Sequence, residues 1–176
     1  MVAEAVRFAI AAHDGQCRKG TQIPYITHPF EVALILAQMG ADADLIAAGL
    51  LHDTLEDAGV AEAELEARFG ARVLKLVQSD SEDKSLPWEA RKRATLDGLG
   101  RAEREEQMLA LADKLANMRS IAADYDALGD ALWQRFRRGY EQQKWYYTGI
   151  CTALGAWEGT KPYEELCTLV GRVFSR

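Results

Sequence analysis

Cysteine is scarce and badly placed for cross-linking. Cys17, Cys151 and Cys167 are odd in number, far apart and never part of a C-x-x-C pair. That excludes a disulfide framework or a zinc ribbon and fits a reducing cytoplasm. Long apolar runs are missing as well. None approaches the roughly 18–20 residues needed to cross a bilayer, so no membrane partner is expected. The opening stretch MVAEAVRFAIAAHDGQ interrupts its apolar residues with charges and does not read as a signal peptide. Positive charge is in deficit, with 21 Lys and Arg against 27 Asp and Glu for a net charge of −6. Such a chain is a poor general binder of nucleic acid, although one local basic pocket suffices for a small anion. Period-2 alternation, repeats and low-complexity linkers are absent.

Apolar residues recur instead at helical spacing almost throughout the 176 residues, a length that suits one domain with one core. Residues 2–13 place Val6, Ile10 and His13 on one face. The next helix is expected to start with His28 as N-cap and Pro29 at its first position, with Glu31 placed to help cap it. Its stripe is Val32, Ile35, Leu36 and Met39, and Gly40 stops it. Residues 43–57 predict a third helix through Ile46, Ala47, Leu50, Leu51 and Leu55, apolar nearly all round and therefore central. Short helices over 61–69 and 71–79 break at Gly70, and SDSEDKSLP (79–87) is a loop. Helices over 88–99, 103–124, 127–137, 139–156 and 161–174 follow. The pattern predicts an all-α fold of about nine or ten helices in one compact domain, 1–176.

Histidine is the third scarce residue, and two of the three sit at telling places. The central helix ends in HDTLED. Residues four apart share a helix face, so His52 lies above Glu56 and Asp53 above Asp57. His52 and Asp53, about 100° apart, can lean toward one point. Burying such groups uncompensated costs several kcal/mol. A divalent cation, which accepts imidazole and carboxylate and cancels charge, is the simplest compensation. His28, at the mouth of the preceding helix, is a natural third ligand. A fourth candidate is Asp113 in LALADKLANMRSI (109–121), a lone carboxylate in a run otherwise apolar on that side, with Asn117 one turn on.

These residues resemble a known family. The series His28, His52-Asp53 and Asp113 is similar to the HD-domain metal-dependent phosphohydrolases. HDGQCRKG…PYITHP (13–29), LLHDTLED (50–57), FGARVLKLV (69–77), EDKSLPWEARK (82–92) and LALADKLANMRS (109–120) resemble the hydrolase domain of the RelA/SpoT alarmone enzymes, and above all their stand-alone small hydrolases. The likeness covers a core of 3–125, with a weaker echo at RRGYEQQKWYYTGICTAL (137–154) within the C-terminal helices, 127–174. It implies an all-α bundle in which His28, His52, Asp53 and Asp113 hold one metal, usually Mn²⁺. It further implies that Glu56 and Asp57 hold and deprotonate the attacking water. Arg18 and Lys19 would meet the nucleotide base and phosphates, and Asn117 the ribose. Trp88 and the aromatic residues of 133–147 depart from the alarmone pattern.

The implied reaction removes the 3′ pyrophosphate of guanosine tetra- or pentaphosphate, with no room for a synthetase domain. Mixed imidazole and carboxylate ligands suit Mn²⁺, and the lack of thiolates argues against structural zinc. Lys84 and Arg119 are further candidate cations for the pyrophosphate. Trp145, Tyr146 and Tyr147 read as core or as a homodimer face rather than a base-stacking box, Tyr140 as a weaker pocket candidate, and His13 as a hydrogen-bonded helix end. Two other functions stay open on these residues: an HD phosphohydrolase acting on another nucleotide, and a protein that binds a nucleotide without cleaving it.

Overall fold

The computed structural model describes residues 1–175 and is all-α, as the periodicity predicts. The helices are α1 (Val2–Ala12), α2 (Thr27–Gln38), α3 (Ala43–Leu51), α4 (Thr54–Asp57), α5 (Glu62–Phe69), α6 (Ala71–Asp80), α7 (Trp88–Leu99), α8 (Arg104–Leu128), α9 (Tyr140–Ala153) and α10 (Lys161–Val173). Short 3₁₀ segments occupy Gly129–Arg135 and Gly155–Trp157. None of the helices among the described residues is long and apolar enough to cross a membrane.

Contacts divide the chain into two compact units: Met1–Asp83 with Glu103–Asp113, and Lys84–Ala102 with Lys114–Arg176. In the first unit α3 is the hub, packed against α1, α2 and α6. Leu45, Ala47, Ala48, Leu50 and Leu51 are all buried, so the central placement read from its composition holds. Gly49 sets the closest approach: a Cβ there would stand 2.5 Å from Leu36 Cδ1 and 3.3 Å from Val32 Cγ1 on α2. In the second unit α9 packs against α7 and α10. Trp133, Tyr140, Tyr147 and Phe174 form an aromatic core there, with ring centroids 5.2–6.1 Å apart. Tyr146 and Tyr147 are buried, while Trp145 is 39% exposed.

Four local expectations are corrected. The buried face of α1 is Ala5, Phe8 and Ala9, not Val6 and Ile10, and Ile10 is 48% exposed. Phe8 decides this: its ring packs edge-on against Phe69 at 5.4 Å, and the larger aromatic surface takes the interior. Next, α2 starts two residues early. The Thr27 hydroxyl donates to Pro24 O (2.8 Å) and the His28 N–H to Tyr25 O (2.9 Å), so a turn over 24–27 launches the helix with Ile26 as cap. Ile26 has no capping side chain, so His28 is not the N-cap. The helix expected over 43–57 breaks after Leu51. The buried Thr54 hydroxyl donates to Leu51 O (2.6 Å), His52 and Asp53 form a turn, and the helical repeat resumes with Asp57 N–H to Asp53 O at 2.8 Å. Finally, α8 runs on to Leu128, and the stretch expected as a helix over 127–137 is 3₁₀ after Gly129, whose φ of 55° turns the chain out of the α conformation.

Candidate metal centre

Two imidazoles and two carboxylates converge in the first unit. His28 comes from the first turn of α2, His52 and Asp53 from the turn after α3, and Asp113 from α8. Asp113 belongs to a stretch in which every residue from Leu109 to Ala116 is buried, so its carboxylate is largely withdrawn from water. His28 Nε2 lies 3.0 Å from Asp113 Oδ1 and 3.6 Å from Asp53 Oδ2. His52 Nε2 lies 3.0 Å from Asp53 Oδ2 and 3.6 Å from Asp113 Oδ1.

The orientation of His52 is fixed from behind. Its Nδ1 sits 2.8 Å from Gly49 O, and a carbonyl only accepts, so Nδ1 carries the proton. The lone pair of the neutral ring is then on Nε2, and that atom is buried with no hydrogen-bond partner. The charges are mutually dependent. Burial pushes the His52 pKa down, but Asp53 and Asp113 outweigh it and raise the value well above the ordinary 6.5. Burial lowers His28, with the carboxylates opposing and the charge on His52 helping to keep it neutral. Burial also opposes ionisation of Asp53, yet the two imidazoles hold its carboxyl below the usual range. The surrounding carboxylates thus favour positive charge at the centre of the cluster.

A divalent cation fits the same place. Ligands about 2.1 Å from an ion and at right angles to one another are about 3.0 Å apart, and at tetrahedral angles about 3.4 Å. The four nitrogen–oxygen separations, 3.0–3.6 Å, span that window. His28, His52 and Asp113 by themselves offer ligand atoms within 4.8 Å of one another. The unpartnered Nε2 of His52 is the second sign of fit, since a buried nitrogen without a partner is rare.

The other residues picked from the sequence are distributed more widely. Glu56 and Asp57 form the end of α4. Glu56 is half-buried and its Oε2 accepts from the Glu82 N–H at 3.2 Å, whereas Asp57 is exposed. Arg18 and Lys19 lie in a hairpin held by Arg18 N–H to Ile23 O and Tyr25 N–H to Gln16 O, each 2.8 Å. Lys84 and Asn117 belong to the second unit, Lys84 exposed and Asn117 half-buried on α8. Arg119 is engaged by Glu165 through two contacts of 2.6 and 2.8 Å, which uses its guanidinium fork. His13 is the buried helix end expected of it, with Nδ1 2.9 Å from Gln16 Oε1.

Two residues at the site escaped the sequence reading. Tyr25 donates its hydroxyl to Asp53 Oδ2 at 2.6 Å. Burial first, then the Asp53 charge and hydrogen bond, push its pKa up, so the phenol stays protonated. Gln16 donates from Nε2 to the Asp57 carbonyl at 3.0 Å. The signal for Tyr25 was its position three residues before His28, one turn away, which places it beside that ring at 5.9 Å.

Comparison with known proteins gives a consistent picture. Residues 5–138 match the HD domain. The chain is 41% identical over 121 residues to the zebrafish (Danio rerio) guanosine-3′,5′-bis(diphosphate) 3′-pyrophosphohydrolase MESH1, a match that covers 67% of each protein. The crystal structure of lmo0812 from Listeria monocytogenes EGD-e superposes with a TM-score of 0.77 at 37% identity, covering 85% of this chain and 99% of that one. A metazoan ortholog of SpoT that hydrolyses ppGpp superposes with a TM-score of 0.78 at 26% identity, covering 97% and 93%.

Proposed function

Because the chain belongs to the HD-domain family, in its branch of guanosine-3′,5′-bis(diphosphate) 3′-pyrophosphohydrolases, we propose that it hydrolyses ppGpp and pppGpp at the 3′ position. Water adds to phosphorus, the bond to the ribose 3′ oxygen breaks, pyrophosphate leaves and the 3′ oxygen regains a proton. The observation that carries the reading is the convergence of His28, His52, Asp53 and Asp113 at 3.0–3.6 Å, a ready ligand set for one divalent cation. We assign that cation as Mn²⁺, on the mixed nitrogen and oxygen donors and the absence of thiolates. When bound, it supplies a water of lowered pKa and draws charge from a phosphoryl oxygen.

The chain's own residues do the rest. In our reading Glu56 and Asp57, at the end of α4, orient the water and take its proton. Arg18 and Lys19 neutralise phosphate oxygens as charge shifts toward the leaving group, and Lys84 and Asn117 complete the nucleotide contacts. A local basic hairpin is compatible with the acidic whole, because phosphoryl transfer depends on positioning and local field. The match to the HD domain runs across both compact units and α8 passes through both, which supports treating 1–176 as one domain. Three free cysteines support a reducing, cytoplasmic location.

The test is turnover of a nucleotide panel with Mn²⁺. Release of pyrophosphate from ppGpp, leaving GDP, is expected. Phosphate release from a mononucleotide with ppGpp untouched assigns the centre to another nucleotide, and ppGpp binding without turnover makes the protein a sensor.

A further inference from the structure

We propose that Tyr25 is a positioning residue of this centre: it orients Asp53 toward the cation and ties that carboxylate to the hairpin that carries Arg18. The inference rests on the reading of His28, His52, Asp53 and Asp113 as the ligand set. A buried phenol needs an acceptor of some kind, so the bond alone says little. What matters is which atom accepts it. The Tyr25 hydroxyl meets Asp53 Oδ2, the same oxygen that stands 3.0 Å from His52 Nε2 and 3.6 Å from His28 Nε2. One lone pair of that oxygen is therefore taken from outside, and the remaining one is directed at the space between the imidazoles. A hydrogen bond of 2.6 Å from a hydroxyl to a carboxylate is of the strong, charge-assisted kind, and it removes the rotational freedom of an otherwise mobile carboxyl group.

The ring has a second role, independent of its hydroxyl. It is held between His13, 5.0 Å away, and His28. The Arg18 guanidinium lies over it at 5.7 Å from the centroid. Tyr25 itself closes the hairpin through its N–H to Gln16 O. The side chain of Gln16 then reaches the Asp57 carbonyl at 3.0 Å. One hairpin thus touches both halves of HDTLED: Tyr25 grips the ligand half and Gln16 the acidic half. A phosphate drawn to Arg18 is registered against the metal site through one aromatic ring.

The two roles separate experimentally. Tyr25→Phe removes the hydroxyl and keeps the ring, whereas Tyr25→Leu removes both. Metal-free protein is titrated with Mn²⁺ alone, free ion being read by electron paramagnetic resonance. Tyr25→Phe is expected to weaken Mn²⁺ binding about 10–100-fold, the usual effect of losing a partner of a metal ligand. Activity of Tyr25→Phe recovers as Mn²⁺ is raised, with KM for ppGpp unchanged. Tyr25→Leu shows the same metal defect and, in addition, a raised KM. Mn²⁺ affinity of Tyr25→Phe within twofold of the parent protein overturns the orienting role. Equal KM values for the Phe and Leu variants overturn the link to Arg18. The titration needs no nucleotide, so parent protein that binds Mn²⁺ but leaves ppGpp intact refutes only the proposed substrate. Parent protein that takes up no Mn²⁺ refutes the ligand set and this inference with it.

Discussion

His52 Nδ1 lies 2.8 Å from the carbonyl oxygen of Gly49, three residues behind it. Gly49 thereby does two jobs: its backbone orients an imidazole of the His and Asp cluster, and its missing side chain lets α2 approach α3. Gly49→Ala tests them together. The added methyl would meet Leu36, which is fully buried and has little room to move. Overpacking of this kind costs about 1–3 kcal/mol, while the helix gains about 1 kcal/mol from replacing glycine. A net loss of about 1 kcal/mol is expected in urea denaturation. Mn²⁺ affinity should fall as well, because any shift of α3 against α2 moves His52 relative to His28.

Asp53→Ala should give a folded protein that no longer retains metal. Its side chain is 17% exposed and sits at a turn, so truncation removes a donor and a charge without opening a core cavity. Metal content by mass spectrometry and circular dichroism on the same sample check both halves. Stoichiometric metal in the variant excludes Asp53 as a ligand. Asp113→Ala, by contrast, removes a carboxylate from a fully buried stretch and should lower the thermal midpoint of the metal-free protein, since His52 loses one of the charges that stabilise its protonated form.

The parts of this centre legible in the sequence were those that break an apolar pattern. His52 and Asp53 end a helix of buried Ala and Leu, and Asp113 interrupts the run from Leu109 to Ala116. Titratable groups in such places need partners, so their convergence could be anticipated from one-dimensional information. The turn at His52–Asp53 could not, because it depends on the Thr54 hydroxyl choosing Leu51 O. Nor could the contact of Tyr25 with Asp53, 28 residues away, which depends on the path of the 16–25 hairpin. The wrong face of α1 has a similar origin: periodicity admits both Ile10 and Phe8, and only the partner Phe69 on α5 settles which is buried.

Cys151 offers a pH signature in the second unit. Burial, and then the neighbouring Cys167 thiol, push its pKa from 9.0 up to about 12. A folded-state value above the unfolded one means the folded chain holds this proton more tightly. Its contribution to stability is intact below about pH 9 and is lost as pH rises toward about 12. Tyr163, on α10 with Cys167, is also raised to about 12, so a difference measurement is needed. The fall in thermal midpoint between pH 9 and pH 11 should be smaller in Cys151→Ala than in the parent protein. At pH 8 a thiol-alkylating reagent should modify the exposed Cys17 well before Cys151. Equal rates at the two positions would show that burial does not protect Cys151.

Glu56→Ala separates holding the metal from using it. Glu56 is not among the four converging residues proposed to hold the metal. Its Oε2 accepts from the Glu82 N–H, and it stands on α4, one helical turn beyond the ligand pair. A residue that takes a proton from the attacking water contributes about 10²–10⁴-fold to turnover. The variant should therefore keep the metal content and Mn²⁺ affinity of the parent while kcat for ppGpp falls by that factor. The loss should appear in kcat with KM little changed, because a proton acceptor acts in the transition state and not in binding the phosphates. Glu56→Gln adds the necessary control. It keeps an oxygen for the Glu82 N–H but is no base at neutral pH. If Glu56→Gln is as slow as Glu56→Ala, the missing property is basicity. If it restores turnover, Glu56 serves to hold the 81–87 loop, and the proton acceptor must be sought at Asp57.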